Sequence, residues 1–202
     1  SAPPVVIVTG ASRGIGAAIV NRLRQARASV VAVARSSTAA GSAKSSASHG
    51  ERVHPIAADI ADPGACADVV RETLGTFGRL DALVNNAGIL EPVSRIADAD
   101  PGAWQYNLAV NLLGPFYLSR AAVPHLRAVG GRIVNISSGA AVKAIQGWSA
   151  YCVAKAALTH FTRQLAAEEP AVEPEAAGLL LRQGIRPVAH AQRLQPGIHV
   201  RT

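Results

Sequence analysis

A tyrosine and a lysine four residues apart, Tyr151 and Lys155, have the types and spacing of a pair that handles protons. This spacing puts both side chains on one face of a helix. A free phenol has a pKa of about 10, and a nearby ammonium favours the phenolate, which brings a phenol toward the range useful for acid–base catalysis. Ser138, just after a β-branched run, can donate a hydrogen bond to a carbonyl oxygen. The alternative is an aromatic ring packed on a helix beside a solvated lysine.

A glycine-containing stretch, residues 9–16 (Thr-Gly-Ala-Ser-Arg-Gly-Ile-Gly), lies between a predicted strand and a predicted helix. The four residues before it are β-branched, as a buried parallel strand requires, and those after it are apolar at helical spacing. Gly10 would allow a tight turn, Gly14 a close approach of the backbone to a ligand, and Gly16 close packing of helix on strand. The first N–H groups of the helix would then bind a phosphate. Because the spacing differs from the usual dinucleotide fingerprint, an ordinary strand-to-helix turn is the alternative.

The residue after the second predicted strand, Arg35, indicates the kind of dinucleotide. A strand over residues 28–34 completes a βαβ unit of about 30 residues, the size typical of a dinucleotide site. In NAD sites an acidic residue near the end of this strand binds the ribose 2′-hydroxyl, and residues 34–37 contain no carboxylate. A guanidinium binds phosphate well. Arg35, together with Arg13, therefore favours NADP(H) over NAD(H), and a surface arginine after a strand is the alternative.

Strand and helix patterns alternate along the chain. Further strands are predicted at residues 53–60, 80–84 and 132–136, and helices from residue 63 to the glycines at 75 and 78, over residues 102–126 and from residue 149. Residues 36–50 are rich in Ser, Ala and Gly, which is typical of a poorly specified helix or a mobile loop. The alternation predicts a three-layer α/β protein with a doubly wound parallel sheet, whose ligands bind beyond the carboxyl ends of the strands.

Five features in this order resemble the short-chain dehydrogenases/reductases of the classical type: residues 9–16, the Asn-Asn-Ala-Gly of residues 85–88, Asn111, Ser138 and the Tyr151–Lys155 pair. The resemblance covers residues 5–169 and implies a Rossmann-type sheet. It implies reduction of a ketone or aldehyde by hydride transfer from NADPH, with Tyr151 as the general acid and Ser138 holding the substrate. Lys155 would anchor the ribose and tune the tyrosine. Asn111 would hold a water for a proton relay.

The resemblance also implies a set of cofactor contacts. Asp59 would contact the adenine amino group, residues 86–88 would pass the adenosine ribose, and Ile136 would lie under the nicotinamide. The implied cofactor-binding residues are Gly10, Ser12, Arg13, Gly14, Ile15, Gly16, Arg35, Ser36, Asp59, Ile60, Asn86, Ala87, Gly88, Ile136, Tyr151 and Lys155. Trp148 and the loop at residues 139–147 could wall an apolar substrate pocket, and a core or surface role explains Trp148 equally well.

Length and composition limit the class of protein. A chain of 202 residues is most simply one domain. The formal net charge of +7 would suit nucleic acid, but the arginines are scattered, and an anionic cofactor with a solvated basic surface explains it better. No apolar run approaches the ~20 residues of a membrane span and no export signal is present, so a cytoplasmic protein with a small carbonyl or alcohol substrate is expected. A homodimer and a homotetramer are both left open. The cysteines and histidines lack metal-ligand spacing, so free thiols and no metal are expected.

The segment at residues 171–202 departs from the family's pattern. Residues 1–170 are the predicted cofactor-binding and catalytic domain, and residues 171–202 a divergent C-terminal segment of it. Residues 185–189 could form the family's sixth strand, although Pro187 would remove a ladder hydrogen bond. The last strand or strands and the substrate lid would then be missing, as in a truncated chain. A protein that binds NADP without turnover is therefore the alternative function.

Overall fold

The fold is a six-stranded parallel sheet, seen in a computed structural model that describes residues 2–36 and 53–177. The strands are β1 (Val5–Thr9), β2 (Ser29–Ala34), β3 (Val53–Ala57), β4 (Ala82–Asn85), β5 (Arg132–Ile136) and β6 (Glu173–Ala177). Their order across the sheet is β3-β2-β1-β4-β5-β6, with every neighbouring pair parallel. The order reverses between β1 and β4, which is where doubly wound sheets bind ligands.

Five α-helices accompany these strands in the described residues: α1 (Gly14–Gln25), α2 (Pro63–Phe77), α3 (Pro101–Leu108), α4 (Gly114–Arg127) and α5 (Ser149–Glu168). Short 3₁₀ turns lie at Ile96–Asp98 and Gly139–Ala141. The Asp62 side chain caps α2 by accepting from the Gly64 N–H at 2.7 Å, as the Asp-Pro start predicts. Gly78, with φ of 71°, ends this helix in the left-handed conformation.

The core lies on both faces of the sheet, because alternate residues of each strand point to opposite sides. Ile7 and Leu83 pack with α2 and α4 in one buried cluster. Val6 and Val8 pack with Val20 of α1 in the other. Every residue of β1 and β2 is buried, which explains their nearly continuous apolar sequence. The predicted three-layer α/β architecture is confirmed.

The long helical stretch expected over residues 102–126 is confirmed as continuous helix from Pro101 to Arg127, but it contains a π-helical turn that the sequence did not predict. A π-helical segment, Ala109–Leu113, separates α3 from α4. Pro115 has no N–H to donate to the Asn111 carbonyl four residues earlier, so the α-helical ladder is interrupted there. Gly114 packs directly on Ile60. A Cβ added at Gly114 would lie 2.8 Å from both the side chain and the carbonyl oxygen of Ile60. The interruption therefore places Asn111 in a widened turn.

The position expected for the sixth strand was wrong. β6 forms at Glu173–Ala177, directly after α5, and pairs in parallel with β5. The Glu173 N–H donates to Gly131 O at 3.0 Å, and the Ser137 N–H donates to Ala177 O at 2.7 Å. In the described residues β6 has only this one neighbour, and Pro174 is tolerated at such an edge. Residues 185–189 lie outside the described residues, as do the predicted loop residues after Ser36.

Findings on other classes of site apply to residues 2–36 and 53–177 only. In these ranges no helix combines the length and the apolar character that crossing a bilayer demands. The same ranges contain no cluster of three or more His, Cys, Asp or Glu side chains able to hold a metal ion. Both cysteines are free, Cys66 buried and Cys152 half-buried, as the sequence predicted.

Candidate active site

A cleft of about 330 Å³ opens beyond the carboxyl ends of β1, β2 and β4. It lies at the point where the strand order reverses, between β1 and β4. Its walls are the glycine stretch, the ends of β2 and β3, and the loop that follows β4. This is the location that the alternating strand and helix pattern predicts for a ligand.

Three glycines shape the loop between β1 and α1. Gly10 (φ 63°) and Gly14 (φ 56°) adopt left-handed conformations that favour glycine. A Cβ at Gly14 would meet nothing within 4 Å, so the backbone there faces open space. A Cβ at Gly16 would collide with the Gly10 carbonyl and lie 2.6 Å from the Asn86 amide nitrogen. The tight turn and the close packing therefore fall on Gly10 and Gly16 as predicted, whereas the approach of a ligand to Gly14 stays a prediction.

A set of hydrogen bonds joins this loop to the loop after β4. The buried Thr9 hydroxyl accepts from the N–H groups of Asn86 and Ala87, each at 3.0 Å. The Asn86 amide donates to the carbonyls of Thr9 at 2.9 Å and Gly10 at 3.2 Å. Asn86 therefore lines the cleft, but its side-chain nitrogen is already engaged with the protein backbone.

The outer end of the cleft carries charged side chains. Arg13 and Arg35 are exposed and border both the cleft and an adjoining pocket that includes Tyr106. Asp59 is half-buried, and its Oδ1 accepts from the Ala61 N–H at 3.0 Å. Its Oδ2 accepts from the Tyr106 hydroxyl at 3.0 Å. This end therefore combines two guanidinium groups with a carboxylate that already has partners on both oxygens.

Lys155 lies at the other end of the site, 4% exposed, and donates to the Ile136 carbonyl at 2.8 Å. Its Nζ is 5.6 Å from the centroid of the Tyr151 ring, as expected for residues one helical turn apart. A Cβ at Gly88 would come within 3.7 Å of this Nζ. Burial lowers the pKa of Lys155 from 10.5 to about 8. The predicted pair therefore lies beside the loop after β4, with the ammonium largely shielded from water.

Ser138 and Trp148 flank the start of α5. Ser138 follows β5, and its Oγ accepts from the Ala140 N–H at 3.2 Å, which leaves the hydroxyl proton available to donate. α5 packs against the turn at Gly139–Ala141. The Trp148 ring meets Tyr151 edge-on, with the ring centroids 6.0 Å apart. Trp148 therefore borders the tyrosine rather than lying in the core.

Asn111 is fully buried in the π-helical segment. Its amide nitrogen donates to Ile89 O at 2.8 Å and to Asn107 O at 3.1 Å. Its side-chain oxygen accepts from the Ile89 N–H at 3.3 Å. The side chain thus fixes the loop after β4. The backbone carbonyl of Asn111 has no α-helical donor, because Pro115 lacks an N–H.

The predicted residues divide into two groups in space. Those lining the cleft are Gly10, Ser12, Arg13, Gly14, Ile15, Arg35, Asp59, Ile60, Asn86, Ala87 and Gly88. Gly16 supports the glycine loop, Ser36 is an exposed bend after β2, and Ile136, Tyr151 and Lys155 group beyond the end of β5. Sequence reasoning missed Ile89 and Val110 in the cleft wall and Tyr106 at its outer end. Ile89 could have been found from its place after the Asn-Asn-Ala-Gly stretch, whereas nothing local marks the other two.

Comparisons with known proteins agree with this geometry. The family model described as short chain dehydrogenase matches residues 4–172. An uncharacterized oxidoreductase of Schizosaccharomyces pombe is 38% identical over 170 residues, 84% of this chain and 67% of that protein. Benzil reductase ((S)-benzoin forming) of Saccharomyces cerevisiae is 32% identical over an alignment covering 95% of this chain and 78% of that protein. The solved structure of a metagenomic short-chain oxidoreductase in complex with NADP superimposes with a TM-score of 0.78 at 33% identity, covering 86% of this chain and 80% of that one.

The fold and cleft define an α/β protein of the doubly wound class, with a cleft where its strand order reverses. The chain belongs to the short chain dehydrogenase family, as its five motifs in order predict. Its relatives include proteins named as an uncharacterized oxidoreductase, a benzil reductase and an L-fucose dehydrogenase. The chain spans about two thirds of the length of two yeast oxidoreductases among the curated relatives that it matches, 67% and 66%.

Replacing Gly16 with alanine is expected to weaken NADPH binding by at least about 10-fold, because overpacking against the Gly10 carbonyl displaces the loop. Fluorescence titration with NADPH measures the change, and circular dichroism checks the fold. Gly75→Ala is the matched control, since its Cβ meets nothing within 4 Å. In α2 it should leave binding unchanged and stabilise the fold by about 0.5–1 kcal/mol. Native affinity in Gly16→Ala would contradict this account of the loop.

Lys155→Met is expected to change how stability depends on pH. The folded-state pKa of about 8 lies below the ordinary 10.5, so between these values the unfolded chain binds more protons and the free energy of unfolding rises with pH. The native protein should gain about 1–3 kcal/mol relative to Lys155→Met from pH 8 to 10. Urea unfolding of both proteins at several pH values measures this difference. Other groups that titrate at alkaline pH, such as Cys66, contribute equally to both proteins and cancel. Exposed Lys143→Met should keep the native slope, and parallel curves for native protein and Lys155→Met would refute the assignment.

Proposed function

We propose that this protein is an NADPH-dependent reductase that converts a ketone or aldehyde into an alcohol, with Tyr151 as the general acid. The observation that carries the proposal is the placement of a buried Lys155 ammonium beside Tyr151 and the loop after β4. In this proposal the phenol of Tyr151 carries the proton that the reduction of the carbonyl consumes. A substrate oxygen near Tyr151 would receive that proton.

The described residues fit a phosphorylated dinucleotide. α1 begins at Gly14 in the cleft wall, its first turn contains no acidic residue, and the first N–H groups of a helix have no helical partner. These groups and the helix dipole attract a phosphate. When bound, NADPH supplies the hydride, and the protein supplies orientation and the proton. Residues 10–16 would hold the pyrophosphate and Lys155 the ribose next to the nicotinamide.

Each remaining polar residue near α5 has a role in the proposal. Ser138 would donate its free hydroxyl proton to the substrate carbonyl oxygen and so hold it for protonation. Lys155 would keep the proton path open by exchanging protons with water, for which a pKa of about 8 is suited. Asn111 would hold that water through its backbone carbonyl, because its side chain is already committed to residue 89.

The preference for NADPH over NADH rests on the charges at the end of β2. Arg13 and Arg35 border the outer end of the cleft, and Ala34 and Ser36 on either side of Arg35 carry no carboxylate. An acidic residue here would bind a ribose 2′-hydroxyl and repel a 2′-phosphate. Two guanidinium groups instead attract the phosphate and bind it through several N–H donors. The metagenomic relative solved with NADP supports the same preference.

A small carbonyl compound is the proposed substrate. The relative named as a benzil reductase acts on a diketone flanked by aromatic rings, which makes benzil a suitable assay substrate. Trp148, next to Tyr151, offers an apolar surface at the same place. A protein that binds NADPH without turnover is the second candidate, because the match to the family model ends at residue 172 and residues 171–202 depart from the family's pattern.

Tyr151→Phe tests the general acid. The variant should lose about 10²–10⁴-fold in the rate of benzil-dependent NADPH oxidation, the range typical of a lost general acid, and its NADPH binding should weaken by no more than about 10-fold, the loss of one hydrogen bond. Tyr117→Phe on α4 is the matched control and should behave as the native protein. Native protein that binds NADPH but turns over none of a diketone panel would favour the second candidate. A rate unchanged in Tyr151→Phe would exclude Tyr151 as the acid.

Arg35→Ala tests the cofactor preference. The loss of a charge-assisted contact should weaken NADPH binding about 10–100-fold and leave NADH binding almost unchanged. Isothermal titration of both nucleotides measures the two affinities. Arg120→Ala, at an exposed position on α4, controls for the general loss of positive charge. Equal weakening of NADPH and NADH would show that Arg35 does not bind a 2′-phosphate.

A further inference from the structure

Tyr106 spans the outer end of the cofactor cleft. It lies on α3, on the opposite side of the cleft from β2 and β3, and its hydroxyl donates to Asp59 Oδ2 at 3.0 Å. It borders one pocket together with Arg13, Arg35 and Gly88. The hydrogen bond therefore joins two walls of the cleft at the place where the adenosine half of a dinucleotide would enter.

The Tyr106 hydroxyl interacts with two of the charged side chains at this end, Asp59 and Arg35. The other oxygen of Asp59, Oδ1, accepts from the Ala61 N–H at 3.0 Å, so a ligand donor that approaches Oδ2 meets the Tyr106 hydroxyl already there. The same hydroxyl interacts with the Arg35 side chain. Burial and Asp59 raise the pKa of Tyr106, and Arg35 opposes this. The net shift is upward, so the hydroxyl is protonated at neutral pH and acts as a donor to the carboxylate.

The hydrogen bond between Tyr106 and Asp59 is not needed to hold α3 in place. Tyr106 is 38% exposed. Two other side chains anchor the helix: Trp104 Nε1 donates to Ser149 Oγ at 3.1 Å, and the Asn107 amide donates to Glu91 O at 2.7 Å. Removing the Tyr106 hydroxyl would therefore leave α3 in position while freeing Asp59 and Arg35.

We propose that Tyr106 is an affinity-determining latch, whose hydroxyl must leave Asp59 and Arg35 before the adenosine end of the nucleotide can bind. This inference rests on the proposed function. A nucleotide that presents an amino group to the carboxylate and a phosphate to the guanidinium competes for the same atoms as the tyrosine. Because the latched state does not accept the nucleotide fully, the apparent dissociation constant equals the intrinsic one divided by the fraction of molecules that are unlatched.

Tyr106→Phe tests the latch, because it removes the hydroxyl and keeps the ring. Isothermal titration should show NADPH and adenosine 2′,5′-bisphosphate binding about 3–10-fold more tightly to the variant than to the native protein, the gain expected when one competing hydrogen bond is lost. The second probe carries the adenosine end alone, so it must respond as NADPH does. Tyr117→Phe is the matched control and should leave both affinities unchanged.

The outcomes separate the latch from the proposed function. Unchanged or weaker binding of both probes to a folded Tyr106→Phe variant overturns the latch alone, and weaker binding identifies Tyr106 as a nucleotide contact. Tighter binding of NADPH without tighter binding of adenosine 2′,5′-bisphosphate also overturns it, because the effect would then lie away from the adenosine end. Absence of binding to both native and variant protein, with native circular dichroism, overturns the proposed function and the latch together.

Discussion

The close approach of the carboxyl ends of β1 and β4 is the constraint on which the site depends. Gly16 lies so near the Gly10 carbonyl that no larger residue fits. Thr9 accepts from two backbone N–H groups of the opposite loop, and Asn86 donates back to two carbonyls of the glycine loop. These bonds satisfy polar groups that would otherwise be buried without partners, each at a cost of about 1–3 kcal/mol. The two loops are therefore positioned together, and the cleft between them has a fixed shape.

The loop after β4 connects the cleft between the two loops to the Tyr151–Lys155 pair. Gly88 lies where an added Cβ would be 2.7 Å from Asn111 Oδ1 and 3.7 Å from Lys155 Nζ. The backbone of Ile89 is held by the Asn111 side chain in both directions, as donor and as acceptor. The nucleotide cleft and the Tyr151 end of the site therefore share one rigid connection. The positive charges at the two ends of the site differ in environment, since Arg35 is exposed whereas Lys155 is buried.

Buried polar side chains determine how α5 sits on the sheet. Asn85 of β4 donates to Asn135 of β5 at 2.8 Å, and Asn135 donates to Thr162 of α5 at 2.9 Å. One turn earlier on the same helix, Thr159 shares a 2.8 Å hydrogen bond with Ser137. Apolar contacts alone would tolerate rotation or sliding of the helix, whereas such bonds are satisfied in one register only. This register is what aims the side chains of Tyr151 and Lys155.

The sequence by itself determined the positions of the first five strands along the chain, the doubly wound class and most of the cleft wall. It could do so because buried parallel strands need continuous apolar runs and the loop geometry at Gly10, Gly14 and Gly16 admits little except glycine. Tertiary structure decided β6, whose Glu-Pro-Glu-Ala-Ala sequence has no strand signal and pairs only because β5 offers a free edge. It also decided the π-helical turn at Asn111, where Gly114 packs on Ile60, and the bridge between Tyr106 and Asp59. These features depend on contacts between residues far apart in the chain, which no local pattern records.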